Sequence, residues 1–166
     1  MEDGQKLKVI DTPGSIFDTS LDMEFIGKEI VKCIHLAREG VDAFLFVISV
    51  RSRFGEDDKA AISSLVTLFG DTFYNYMIIV FTGGDELEDD NESLKEFLDD
   101  SPSALKYIIG MCGNRCVLFY NKTKDRTKRL NQVQNLMCHV NMVSKFNGGK
   151  PYTNEIFTEM KAFTGK

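Results

Sequence analysis

Apolar positions along the chain alternate between continuous runs and helical spacing. Continuous apolar runs at residues 43–49 and 76–82 are typical of strands covered on both faces of a parallel sheet, and residues 115–120 are predicted to form a further strand. A shorter run at residues 6–10 predicts another strand before them. Between these runs, apolar residues recur every three or four positions, which indicates helices. The predicted helices run from a cap at 18–20 to about 38, and over 56–68, 94–98, 104–109 and 132–146.

Strands that alternate with helices predict an α/β fold with a parallel sheet and right-handed crossovers. Gly148 and Gly149, followed by Pro151, are predicted to end the last helix. The acidic segment at residues 85–90 is predicted to be a loop. No repeat or low-complexity linker interrupts the 166 residues, and 43% of them are hydrophobic, so we expect a single domain.

The charge and hydropathy of the chain exclude several classes of function. A net charge of −5 argues against a general nucleic-acid binder, because such proteins need a basic excess to neutralise phosphates. No apolar run approaches the roughly 20 residues of a membrane span, and no signal peptide opens the sequence. We therefore expect no membrane segment in this chain and a cytoplasmic location.

The cysteines and histidines do not form a recognisable catalytic or metal-binding pattern. Cys112 and Cys116 are close in sequence, but no second Cys/His pair completes a zinc site. Buried free thiols are the favoured interpretation for the cysteines, and a redox or metal role is the alternative. The two histidines, His35 and His139, are assigned no catalytic role.

Polar residues follow three of the predicted strands, and these positions are the candidates for chemistry. Ligands of α/β proteins bind at the carboxyl ends of the strands, so these groups can converge on one ligand. A carboxylate there can hold Mg²⁺ through water, and a glycine lets a backbone N–H approach an anionic oxygen. An aspartate can also accept both N–H groups of a guanine edge. The three segments are Asp11-Thr12-Pro13-Gly14, Thr82-Gly83-Gly84-Asp85 and Tyr120-Asn121-Lys122.

Each of these segments also has a purely structural interpretation. The segment from Asp11 to Gly14 fits an ordinary turn with proline at its second position. Asp85 can simply begin a solvated acidic loop, and Asn121 and Lys122 can serve as loop or helix-cap residues. No single segment decides between the two interpretations.

Taken together and in order, the segments resemble the immune-associated nucleotide-binding GTPases, a GIMAP-like family, and specifically its plant branch. The resemblance covers nearly the whole chain. The matching stretches are residues 9–14, 81–88, 114–123 and 148–154, with a middle region from Asp42 through Arg51, Arg53 and Phe54 to Asp57 that is similar to the conserved box of that family.

The resemblance implies a guanine-nucleotide switch built on a P-loop-NTPase-like G domain, with a mostly parallel sheet and helices on both faces. It implies that the cofactors are GTP or GDP and Mg²⁺. Asp11 is then expected to hold Mg²⁺ through water, and Gly14 to contact the terminal phosphate. Thr82, Asp85 and Asn121 are expected at the guanine base.

Residues 1–166 contain no Gly-x-x-x-x-Gly-Lys-Ser/Thr phosphate loop, no strand before it and no switch-I segment. Gly148-Gly149-Lys150 is not a substitute, because it ends a helix. The chain is therefore expected to be a single but incomplete G domain, cut at its amino end. The missing amides and lysine would grip the most charged part of the nucleotide, so we expect weak binding. Their absence also argues against GTP hydrolysis by this chain, and a missing central strand predicts marginal stability.

Two alternatives to a nucleotide-binding protein follow from the same residues. A nucleotide-free pseudo-GTPase could pair with family G domains across its nucleotide face, as a homodimer or heterodimer, with Arg51, Arg53 and Phe54 near that surface. An unrelated flavodoxin-like domain would account for Asp11 but not for Asp85 and Asn121 together, so it is disfavoured.

Overall fold

The computed structural model describes Gly4, residues 6–12, Gly14 and residues 23–164. Its helices are α1 (Met23–Leu36), α2 (Glu56–Phe69), α3 (Gly84–Asp89), α4 (Leu94–Asp99), α5 (Ser103–Met111), α6 (Arg126–Phe146) and α7 (Glu155–Thr164), with a 3₁₀ helix at Asp71–Tyr76. These elements divide into two compact units. The larger is Val41–Tyr152, and the smaller holds the described residues of Met1–Gly40 and Thr153–Lys166.

The larger unit is built on a parallel sheet of three strands. Strands β1 (Phe44–Ser49), β2 (Met77–Thr82) and β3 (Cys116–Phe119) lie in the order β1-β2-β3. The register places Ser49 beside Thr82 and Thr82 beside Phe119, so the three strands end in one row. Because the strands are parallel, the loops that follow them emerge at the same edge of the sheet. The predicted α/β class with a parallel sheet is confirmed.

The central strand β2 forms the core of the larger unit. Met77, Ile78, Ile79 and Phe81 have no exposed surface, as expected for a strand covered on both faces. Val143 of α6 packs on one of these faces, in a cluster completed by Ile78, Val80 and Val117, with Leu136 and Val140 at its margin. The helical spacing of apolar residues in the sequence identified this face of α6 correctly.

Tyr152 fastens the end of the larger unit to its beginning. Tyr152 and Val41 form an antiparallel bridge, with the Val41 N–H donating to the Tyr152 carbonyl at 3.0 Å and the return bond at 2.8 Å. The Tyr152 hydroxyl donates to the carbonyl of Phe69, and its ring makes edge contacts with Phe44, Phe69 and Tyr76. The segment after the last predicted helix is thus part of the core and not a loose tail.

Two strand predictions are wrong. Residues 6–10 lie outside any sheet, and Leu7 and Val9 are 46% and 82% exposed. Sequence supplies strand propensity, but a strand forms only where a neighbour accepts its hydrogen bonds, and none does so among the described residues. Strand β1 is covered on one face only, since Leu45 and Val47 are 44% and 60% exposed while Ile48 is buried.

Several helix boundaries also differ from the prediction. The acidic segment predicted as a loop forms the short helix α3, and α7 was not predicted. Helix α6 begins at Arg126, six residues early, because the Asp125 carboxylate accepts from the N–H groups of Thr127 (2.8 Å) and Lys128 (3.3 Å). The predicted cap of the first helix at residues 18–20 lies outside the described residues.

The end of α6 matches the prediction in detail. Gly148 and Gly149 have φ angles of +67° and +71°, and their N–H groups return to the carbonyls of Lys145 (3.1 Å) and Ser144 (2.7 Å). This is a glycine helix cap, which satisfies carbonyls left without helical partners. Gly148-Gly149-Lys150 is therefore a helix terminus, as expected, and not a phosphate loop.

The smaller unit contains α1 and α7, which pack together. Ile34 and Phe157 are its buried apolar side chains. The ammonium of Lys8 donates to the carbonyl of Leu36 at the end of α1.

Across the described parts of both units, no helix combines the length and the apolar character needed to cross a bilayer.

Candidate functional site at the carboxyl edge of the sheet

The carboxyl edge of the sheet gathers the loops that follow β1, β2 and β3. The N–H of Val50, directly after β1, donates to the carbonyl of Thr82 at 3.0 Å. This bond continues the β1–β2 ladder by one residue and holds the β1–α2 loop beside the end of β2. Side-chain contacts of Asp85 and Glu86 with Lys122 join the segments that follow β2 and β3.

Asp85 is the carboxylate at the centre of this edge. It is half-buried in the first turn of α3, and its Oδ2 accepts from the backbone N–H of Lys122 at 3.1 Å. Its Oδ1 accepts no hydrogen bond from the described residues. Asn121, which precedes Lys122, is exposed. One side of the carboxylate is thus fixed by the β3–α6 loop, and the other remains available to a donor.

Gly83 sets the sharp turn from β2 into α3. Its φ is +88°, in the left-handed region that residues with a Cβ rarely adopt. A Cβ at this position would lie 2.7 Å from Oε2 of Glu86 and 2.8 Å from Cγ2 of Val50. The turn therefore favours glycine both for its backbone conformation and for lack of space for a Cβ. It leads directly into the first turn of α3, which carries Asp85.

Gly84 allows the ring of Tyr120 to pack against the start of α3. A Cβ on Gly84 would lie 2.9 Å from the Tyr120 ring and 3.1 Å from the Leu118 side chain. The ammonium of Lys128 lies 3.9 Å from the centroid of the same ring, a cation–π contact, and pairs with Glu88 at 2.5 Å. The packing of Gly84 on Tyr120 holds α3 against the β3–α6 loop, and the Glu88–Lys128 pair holds α3 against the first turn of α6.

Glu86 connects all three loops. Its Oε1 accepts from the Lys122 ammonium at 2.6 Å and from the guanidinium of Arg51, which lies in the β1–α2 loop. The hydrogen bond from Lys122, together with the charge of Arg51, holds the pKa of Glu86 below its usual range. Glu86 is consequently a carboxylate that stays ionised and paired at neutral pH.

The structure brings together three of the five predicted site residues. Thr82, Asp85 and Asn121 all belong to the carboxyl edge of the larger unit. Asp11 and Gly14 belong to the smaller unit, where both are exposed. An exposed single carboxylate fits a Mg²⁺ ion that is held mainly by water and phosphate oxygens, since Mg²⁺ keeps several waters. The described residues contain no cluster of three metal-ligating side chains.

Comparison with known proteins identifies the same family as the sequence motifs. The model of the AIG1 family matches residues 1–165. The chain belongs to the AIG1 family. The resemblance inferred from the four ordered motifs is therefore confirmed.

Several plant members of the AIG1 family are similar to the chain over almost its whole length. Immune-associated nucleotide-binding protein 9 of Arabidopsis thaliana is 52% identical over 161 residues, which is 96% of this chain and 46% of that protein. Protein 8 is 48% identical over 96% of this chain and 45% of its own length. Protein 1 is 41% identical, with 97% of this chain and 72% of its own length aligned. The chain spans about half the length of the first two relatives.

Sequence reasoning missed the role of Glu86 and Lys128 in this AIG1-family chain. Glu86 was placed in an acidic segment predicted to be a solvated loop, and Lys128 was assigned no role; their partners are 36 and 40 residues away along the chain. Arg51 was noted only through the family's conserved box. Phe54 was expected near a pairing surface, but it is 6% exposed and belongs to the core. No local signal distinguishes an ion-pair network of this kind from a solvated helix.

The cysteines of the chain are free thiols, as predicted, but not all are buried. Cys112 is fully buried, and burial raises its pKa to about 11; burial likewise raises the pKa of half-buried Cys116 to about 12. Cys138 is exposed on α6, so the prediction of burial is wrong there. Cys138 lies on the exposed side of α6, and Val143 on another side of the helix packs against the sheet.

Proposed function

We propose that the chain binds a guanine nucleotide at the carboxyl edge of its sheet. One observation carries the proposal: the Lys122 N–H holds one oxygen of Asp85 at 3.1 Å while Oδ1 accepts nothing from the described residues. A carboxylate fixed in this way can accept the two adjacent N–H groups of guanine, whereas adenine offers no such pair. The names of the Arabidopsis relatives, which are immune-associated nucleotide-binding proteins, support the same class of ligand.

The remaining predicted residues receive the roles that the family resemblance implies. Thr82 ends β2 three residues before Asp85, and Asn121 directly precedes Lys122, whose N–H bonds Asp85; both are therefore assigned to the sides of the base. Asp11 would hold Mg²⁺ through water, and Mg²⁺ would supply positive charge to the phosphates of GTP or GDP. The Gly14 N–H would reach the terminal phosphate. We propose residues 1–166 as part of a single G domain that works as a nucleotide switch.

The test is a titration of the chain with GDP and with ADP, followed by NMR. With no phosphate-loop sequence in these 166 residues, we expect dissociation constants no tighter than roughly millimolar, equivalent to about 4 kcal/mol. GDP should nevertheless bind more tightly than ADP. Asp85→Asn should remove this preference, while Asp89→Asn, an exposed carboxylate four residues away on α3, should preserve it. Equal binding of GDP to the Asp85→Asn variant and to the unchanged chain would refute the assignment of Asp85.

The alternative function is a nucleotide-free module that pairs with other AIG1-family domains across this face. Exposed Arg51 and Arg53, both in the β1–α2 loop at the carboxyl edge, favour it. Sedimentation of the chain with and without GDP separates the two functions. A dimer that forms equally well without nucleotide, and that Arg53→Glu disrupts, would support the pairing module.

A further inference from the structure

The Glu86 carboxylate forms no ion pair with another described residue of α3. Its two ion pairs join α3 to the loops that follow β1 and β3. Arg51 approaches its Oε1 from the β1–α2 loop, and Lys122 approaches the same oxygen from the β3–α6 loop at 2.6 Å. The Glu86 side chain is 23% exposed, whereas those of Arg51 and Lys122 are about two-thirds exposed at 65% and 64%. A shielded carboxylate between two cations constrains both loops more than an isolated surface pair does.

Lys122 transmits this constraint to Asp85. Its ammonium is held by Glu86, and its backbone N–H donates to Oδ2 of Asp85. The two contacts are made by opposite ends of one residue, so loss of the side-chain pair removes one of two restraints on Lys122. Asp85 and Glu86 are neighbours in the first turn of α3. Asp85 accepts from the backbone N–H of Lys122, and Glu86 accepts from its ammonium.

We propose that Glu86 is a positioning residue for base recognition, which holds Lys122 so that the Lys122 N–H orients the Asp85 carboxylate toward the guanine edge. The proposal rests on the guanine-binding function inferred above and deepens it. Arg51 is the second support of Glu86, so the β1–α2 loop contributes to base recognition without touching the base. Glu86 itself contacts no ligand in this arrangement.

Glu88 provides a matched control on the same helix. Its carboxylate pairs with Lys128 at 2.5 Å, a distance close to that of the Glu86–Lys122 pair, but in the described part of the chain Lys128 donates no hydrogen bond to Asp85 and acts on it only through its charge. Glu86→Gln and Glu88→Gln therefore each remove one charge from α3 and differ in whether Lys122 is released. Arg51→Gln removes only one of the two supports of Glu86.

The first measurement needs no ligand. Hydrogen exchange of the Lys122 amide, followed by NMR, should be about 3- to 10-fold faster in Glu86→Gln than in the unchanged chain, the size expected when one or two surface ion pairs are lost. Arg51→Gln should give a smaller acceleration, and Glu88→Gln none. An unchanged exchange rate in Glu86→Gln would show that Glu86 does not hold Lys122, and the proposal would fail.

The second measurement is the ratio of GMP to AMP affinity, from NMR titrations of the same variants. In Glu86→Gln the ratio should fall about 3- to 10-fold because GMP binding weakens while AMP binding does not, a split that general loosening of the domain would not produce. An unchanged ratio despite faster exchange would contradict a role in base recognition. If the unchanged chain itself does not prefer GMP, the proposed function is wrong, and the exchange data still report separately whether Glu86 holds Lys122.

Discussion

At the scale of single residues, the carboxyl edge depends on positions where only one residue type fits. Gly83 combines a left-handed φ of +88° with neighbours that leave no room for a Cβ. Arg115 serves the opposite end of the sheet, where its guanidinium donates to the carbonyls of Met77 (2.9 Å) and Tyr74 (2.6 Å). Partial burial lowers the pKa of Arg115, but the guanidinium stays protonated, so these hydrogen bonds remain charge-assisted.

Gly83→Ala should destabilise the chain by about 1–3 kcal/mol, because a Cβ strains the left-handed backbone and overlaps Glu86 and Val50. Urea denaturation measures the change. Gly110→Ala is the control: Gly110 lies in α5 with nothing within 4 Å of the added Cβ, so alanine should stabilise by about 0.5–1 kcal/mol. Equal effects at both positions would show that the Gly83 turn is not constrained.

Arg115→Met should cost about 2–3 kcal/mol, because two carbonyls lose a charged donor while the aliphatic packing is kept. The control is Arg129→Met. Its guanidinium also bonds a carbonyl, that of Thr123 at 2.8 Å, but on the exposed surface of α6, and it should cost less than about 1 kcal/mol. Comparable losses for the two variants, measured by urea denaturation, would argue against a structural role for Arg115.

At the scale of elements, α3 and α6 are held in place by charges as much as by packing. Glu86 and Glu88 of α3 pair with Lys122 and Lys128, and Asp125 caps α6. These pairs depend on the ionisation of carboxylates, whereas burial keeps neutral the thiols of Cys112, at the end of α5, and of Cys116, in β3. The elements therefore differ in how they respond to pH.

The Glu86 pairs should make a pH-dependent contribution to stability. Because Lys122 and Arg51 hold the folded-state pKa of Glu86 below its unfolded value, the contribution is fully present above the unfolded value and is lost as pH falls through the folded one. The unfolding free energies of the unchanged chain and of Glu86→Gln should thus differ at pH 7 and converge as the pH falls below the folded-state pKa of Glu86. A difference that stays constant with pH would show that Glu86 acts through packing alone.

The thiols of the larger unit should react with a disulfide reagent in a fixed order. Cys138 is exposed on α6, while burial raises the pKa of Cys112 to about 11 and that of Cys116 to about 12. At ~pH 8 the two raised pKa values leave a thiolate fraction of about 10⁻³ or less, so both cysteines should react only after unfolding in urea. Cys138→Ser should remove the fast thiol of this unit. Rapid labelling of Cys112 in the folded chain, seen by peptide mass analysis, would be inconsistent with its burial.

At the scale of the whole molecule, the larger unit has its own core. Every buried apolar residue described in the chain belongs to Val41–Tyr152 except Ile34 and Phe157. The two ends of this unit meet in the Val41–Tyr152 bridge, and the Tyr152 ring closes an aromatic cluster with Phe44 and Phe69. A segment that has its own hydrophobic core and whose two ends lie close together resembles an independently folding domain.

Residues 41–152 expressed alone should therefore fold. We expect native-like circular dichroism in the far and near ultraviolet and a single cooperative urea transition. Tyr152→Ala should abolish cooperativity or lower the unfolding free energy by about 3–5 kcal/mol, the cost of deleting a large buried aromatic side chain. A broad, non-cooperative transition for the segment itself would show that the smaller unit is needed for the fold.

The sequence by itself determined most of the strands and helices of the larger unit, with α3 as an exception, and which family the chain belongs to. Apolar runs and helical spacing are local consequences of burial, so they identified β2, α2 and the face of α6 that carries Val143. The motifs containing Asp85 and Asn121 are also local, and their order along the chain was enough to indicate the AIG1 family before any comparison.

Only the tertiary structure decided what depends on residues far apart in sequence. Residues 6–10 have strand propensity but no partner in the described sheet, and Leu45 and Val47 are apolar yet exposed. The contacts of Glu86 with Arg51 and Lys122 span 35 and 36 residues, so no local pattern could reveal them. Hydrogen-bond partners and ion pairs are chosen by the fold, because they require two groups to meet in space, and a sequence states only that each group exists.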